Sequence, residues 1–159
     1  MRMSLGRGLV VIGALLGWVP AAAGQGKAPP PISQRQYSGG SITVKVTGTI
    51  TMDAEIPINT TASFSDGGST WLQYGASGAA EPNALITYGE TGETGVSIGR
   101  GKSSATGGII PGGESQCTGE ATVTATLVTG AYTCKGITSY EPGKGMGTVD
   151  ITVRFTAKS

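Results

Sequence analysis

The chain has 159 residues, 28 of them glycine and none histidine, with 11 basic against 10 acidic side chains and a net charge of +1. Charged residues make up only 13% of it, roughly half the usual share, so the composition offers no electrostatic reason to bind nucleic acid or an anionic membrane surface. The missing histidine closes Ser-His-Asp and Cys-His nucleophile activation, histidine metal ligation and the commonest general base near neutral pH.

In chain order, Arg2 and Arg7 precede an apolar run from Leu9 to Val19, and Ala21-Ala22-Ala23 follows. A positive start, a short apolar core and small residues before Gly24 make residues 1–23 an export signal. The run is too short to span a bilayer, which takes about 20 residues, so no stable membrane span is expected after its removal. The remaining 136 residues carry a net charge of −1, suit a single domain, and are expected to be secreted or periplasmic. Residues 24–40 contain Ala28-Pro29-Pro30-Pro31 and end at Gly39-Gly40. This composition predicts a flexible, extended tail, with the domain proper covering 41–159.

Ile42, Val44, Val46, Ile50 and Met52 alternate with Thr43, Lys45, Thr47, Thr49 and Thr51, a period of two that predicts a strand with one buried and one wet face. Ile56, Ile58, Ala62 and Phe64 repeat the alternation, and Pro57 inside that run predicts an edge strand or an irregular start. Asp66-Gly67-Gly68 predicts a turn, followed by short strands at 69–74, 84–88 and 95–98. Residues 99–116 read as a long loop. Alternation returns at Ala121, Val123, Ala125 and Leu127, Thr129-Gly130 reads as a tight turn, and Ala131 to Ile137 reads as the returning strand. After a turn at Pro142-Gly143-Lys144-Gly145, Val149, Ile151, Val153 and Phe155 alternate with Thr148, Asp150, Thr152, Arg154 and Thr156. Seven to nine short strands with glycine turns predict an all-β fold, an antiparallel β-sandwich with a flattened β-barrel as the alternative.

Cys117 and Cys134 are expected to form one disulfide in an oxidising compartment. The turn at Thr129-Gly130 conflicts with that pairing. It would set Cys134 opposite Ala125, whereas direct pairing with Cys117 centres the turn near Ala125 and Thr126. Both readings stand at this point.

Without histidine, the common enzyme chemistry still open is two-carboxylate glycoside hydrolysis. Its candidate pairs are Asp53 with Glu55, Glu90 with Glu93, and Glu114 with Glu120; the first two pairs also read as solvated turn and loop residues. Gly99-Arg100-Gly101-Lys102-Ser103 lacks the leading glycine of a phosphate loop, since Val96 stands in its place. Trp71, Tyr74 and Tyr88 flank neighbouring loops in the predicted strand order and could form a stacking platform for a sugar ring or a peptide.

Three C-terminal stretches carry a resemblance: Cys117-Thr118-Gly119-Glu120-Ala121-Thr122-Val123-Thr124, Gly130-Ala131-Tyr132-Thr133-Cys134-Lys135-Gly136 and Gly147-Thr148-Val149-Asp150-Ile151-Thr152-Val153. Together they resemble the closing hairpins of small bacterial exported β-sandwich proteins, among them the mycobacterial lipoprotein-antigen family. The resemblance implies a fold and brings no catalytic residues. Family members are anchored by a lipid on a cysteine after the signal, and this chain has no cysteine there.

The sequence therefore predicts a non-enzymatic exported domain that binds a small ligand, a glycan or another envelope protein through Trp71, Tyr74 and Tyr88, with no cofactor and no metal. The alternatives are a polysaccharide hydrolase using Glu90 or Glu93, and a structural envelope subunit pairing along the edge from Ile56 to Phe64.

Overall fold

The computed structural model describes residues 34–78 and 80–159. The predicted export signal and the predicted tail up to residue 33 lie outside the described residues. Every regular element among them is a strand: β1 (Arg35–Gln36), β2 (Ser41–Gly48), β3 (Met52–Pro57), β4 (Phe64–Asp66), β5 (Ser69–Tyr74), β6 (Pro82–Tyr88), β7 (Thr94–Arg100), β8 (Ser103–Ile109), β9 (Cys117–Val123), β10 (Leu127–Glu141) and β11 (Gly145–Lys158). All eleven belong to one sheet in the order β1-β4-β5-β6-β7-β8-β10-β11-β2-β3, with β9 paired to β10 off this path. Each pairing is antiparallel.

The sheet is a curled half-barrel, the barrel-like alternative rather than two stacked layers, and it has more strands than the sequence predicts. The curl carries the end of β3 back to β5, where Ile58 and Tyr74 form an isolated bridge. Gly75 N donates to Pro57 O (2.9 Å) and Asn59 N to Gln73 O (2.7 Å) on either side of it. The stretch from Ile56 to Phe64 is therefore engaged at this seam, and the open pairing edge predicted there is partly consumed.

The period of two sets what lies inside. Ile42, Val44 and Val46 of β2, Leu72 and Tyr74 of β5, Ile86 of β6, Val96 and Ile98 of β7, and Val149, Ile151, Val153 and Phe155 of β11 are buried, each burial worth about 1.5–3 kcal/mol. Their neighbours Thr43, Lys45, Thr47, Asp150, Thr152 and Arg154 face out. This polar exterior around an apolar interior is the inverse of a lipid-facing barrel wall. No helix among the described residues is long and apolar enough to cross a membrane.

Three sequence expectations are corrected. Residues 99–116 are not one loop, because Ser103–Ile109 forms β8 against β7. Its inward positions Ala105 and Gly107 carry too little side chain to register as a hydrophobic row, and Gly107 is small because a Cβ there would strike Ile137. The second correction is the turn at Thr129-Gly130. Both residues lie inside β10, and the hairpin turns instead at Ala125-Thr126, with Thr124 N donating to Leu127 O (2.8 Å). A Cβ on Gly130 would strike the Phe155 ring, so this glycine makes room for an aromatic side chain. The third is the tail, whose last residues belong to the fold. Gln36 pairs with Phe64, Tyr37 is buried to 1% exposure, and Ser38 N donates to Lys158 O (2.7 Å).

With the turn moved, Cys117 stands directly opposite Cys134 across β9–β10, and the two are joined in a disulfide. The bridge fits an oxidising compartment.

Candidate ligand-binding face

The predicted aromatic platform is split by the sheet's own alternation. Along β5 the side chains of Thr70, Leu72 and Tyr74 go inward and that of Trp71 outward. Tyr74 is fully buried and its hydroxyl donates to Thr156 O (3.0 Å). Tyr88 is opposite the inward-facing Thr70 and packs in the interior against Tyr132 (6.2 Å between centroids) and Phe155 (6.1 Å). Of the three predicted residues, only Trp71 is exposed, at 44% of its area, while Tyr88 is half-buried. Tyr74 and Tyr88 hold the interior together.

The outward partner of Trp71 is Phe64, also 44% exposed. The two ring centroids are 6.4 Å apart with planes within 15°, a parallel, offset arrangement. Its cause is local. Gly67 and Gly68, at φ of 53° and 83°, form a two-residue turn of the type that fits hairpin twist. The turn fixes Asp66 opposite Ser69, Ser65 opposite Thr70 and Phe64 opposite Trp71. Phe64 could have been found in the sequence by counting outward from those glycines.

The face continues on both sides of the rings. Thr87 of β6 lies opposite Trp71, and Gly95 of β7 and Gly108 of β8 follow in the same cross-strand row, with the Thr87 side chain leaning over Gly95. A Cβ on Gly108 would sit 2.6 Å from Thr94 O. On the other side a hollow of ≈ 520 Å³ is lined by Gln34, Arg35, Gln36, Phe64, Ser65 and Asp66. Gln36 and Asp66 share the outward face of Phe64, whereas Arg35 is opposite the inward-facing Ser65. Arg35 is held in place by donating from Nη1 to Thr124 O (2.8 Å). A second hollow of ≈ 450 Å³ on the outer face of β9, β10, β11 and β2 includes Glu120, Thr122, Thr129, Arg154 and Thr156, and no outward aromatic ring borders it.

All six candidate carboxylates, Asp53, Glu55, Glu90, Glu93, Glu114 and Glu120, are exposed. Asp53 and Glu55 lie within β3 on its exposed face, opposite Lys45 and Thr43, and Glu55 Oε1 accepts from Ser41 Oγ (3.0 Å). Glu93 lies in the exposed loop between β6 and β7, where the Thr91 hydroxyl donates to it and holds its carboxyl below the usual range. A general acid in glycoside hydrolysis needs the opposite shift. Gly101 and Lys102 of the basic segment form the β7–β8 turn. Among the described residues no group of three or more His, Cys, Asp or Glu side chains is placed to hold a metal ion. No protein-family model matches the chain, and no curated protein or solved structure is found to be similar to it.

Proposed function

We propose that this protein is an exported, non-enzymatic binding domain whose outer face takes a glycan on the Phe64–Trp71 pair. The observation that carries the reading is that pair, two parallel rings exposed side by side on a rigid sheet next to a polar hollow. Pyranose rings present an apolar face and a rim of hydroxyls. The two aromatic side chains answer the face, and Gln34, Gln36 and Asp66 supply donors and acceptors for the rim. Export is supported by the leader-like residues 1–23 and by the disulfide.

Without residues 1–23, Trp71 is the chain's one tryptophan, so its fluorescence reports on the site directly. Titration with neutral soluble polysaccharides is expected to shift Trp71 emission and to retard the protein in affinity electrophoresis. Phe64→Ala and Trp71→Ala each weaken retention about tenfold, equivalent to about 1.4 kcal/mol. Polysaccharide binding that survives both substitutions, or a Trp71 signal indifferent to every glycan, rules the platform out.

A further inference from the structure

We infer that β9 is a pairing edge through which two copies of this chain join as a symmetric dimer. Thr124 N donates to Leu127 O (2.8 Å) and Gln116 O accepts from Lys135 N (3.0 Å). The even-numbered residues of this segment thus direct their backbone groups toward β10. The register to β10 runs without a break from Cys117 to Val123, so Gly119, Ala121 and Val123 direct theirs away, and none of them has a backbone partner on that side among the described residues.

The sheet's other free edges are blunted. β1 has two residues, and β3 carries Asp53, Glu55 and Pro57 and is caught at its end by the Ile58–Tyr74 bridge. β9 has no proline and no lysine, the devices that usually protect an edge, and its one charge is Glu120.

Self-complementarity names the occupant. An antiparallel two-fold pairing must set outward-bonding residues against each other. Centred on Glu120 it would put two carboxylates face to face, which is unfavourable. Centred on Ala121 it pairs Ala121 with its own copy, Gly119 with the partner's Val123, and Glu120 with the partner's Thr122. The exposed Val123, at 44%, then covers the bare backbone of Gly119 in the other copy, and about six backbone hydrogen bonds close across the axis.

Thr122 is exposed and makes no hydrogen bond through its side chain among the described residues, so its substitution leaves the fold alone. Sedimentation of the chain without its leader is expected to show a concentration-dependent monomer–dimer equilibrium. Thr122→Lys tightens it and Thr122→Glu loosens it, each by about three- to tenfold from two symmetric cross-strand pairs. Glu120→Lys combined with Thr122→Glu restores it, and Ala121→Pro, which deletes an N–H pointing at the partner, abolishes it. Thermal midpoints of the variants confirm that each is folded. A monomer at every concentration, or a dimer insensitive to the sign of the charge at 122, overturns the proposal.

Discussion

Tyr88 shows how a residue that was expected to meet a ligand can instead govern stability. Its hydroxyl is buried without a hydrogen-bond partner among the described residues, and burial, with the neighbouring Tyr132 hydroxyl, pushes its ionisation well above the ordinary value near 10. Burial raises Tyr74 in the same direction. The sign of the linkage follows. Above about pH 10 the unfolded chain releases these protons while the folded chain keeps them, so the native state binds more protons and stability falls with rising pH. The contribution is fully present below pH 10 and is lost progressively above it, by up to about 1.4 kcal/mol per pH unit for each tyrosine. Tyr88→Phe is expected to flatten that alkaline slope and to stabilise the protein by about 1 kcal/mol at pH 7, since it removes an unsatisfied buried hydroxyl. Urea midpoints measured from pH 8 to pH 11.5 check both effects. A variant with the parent's slope would place the titrating group elsewhere.

At the level of elements, legibility followed side-chain size. β2 and β11 alternate bulky apolar residues with threonine and charge, and both are visible in the sequence at once. β8 alternates Ala105 and Gly107 inward, and no hydrophobic scale detects such a row. Gly130 misled for a related reason. Glycine signals a turn when the backbone needs a positive φ, but here it signals the space taken by Phe155, which becomes known only when β11 is laid beside β10. The cysteines were the better guide, because a disulfide between facing strands fixes the register and so the turn. That bridge also tethers the one strand that hangs off the main path. Replacing both cysteines by serine is expected to cost about 3 kcal/mol through the freed loop, read as a lowered denaturation midpoint. Hydrogen exchange should rise first in 117–123. Uniform exchange across the sheet would mean that β9 is held by its hydrogen bonds alone.

For the whole molecule, the sequence carried the class of fold and left its closure open between sandwich and barrel, since alternation states which face is buried but not whether a sheet meets itself or a second layer. The curl is decided by long-range pairs, β11 with β2 and Ile58 with Tyr74, that leave no local mark. The same limit hid the start of the domain. Gln34 to Gly40 has the composition of a spacer, yet Tyr37 inserts where the segment crosses from β4 to the end of β11. Its hydroxyl shares a hydrogen bond with Ser65 Oγ (2.8 Å), which shares another with Thr70 Oγ1 (2.8 Å). Gly39 and Lys158 bridge beside it. A tyrosine at 1% exposure that also satisfies a buried serine belongs to the core in every energetic sense, so its removal leaves both a void and a weakened polar chain. Tyr37→Ala is expected to cost about 3–5 kcal/mol, Tyr37→Phe about 1 kcal/mol for the lost hydroxyl, and a chain beginning at Ser41 at least as much as Tyr37→Ala. Equal urea midpoints for the chains starting at Gly24 and at Ser41 would return the segment to the role of a spacer. A loss confined to Tyr37→Ala and the Ser41 start would show that the plug is mainly apolar, with the Ser65–Thr70 pair able to satisfy itself.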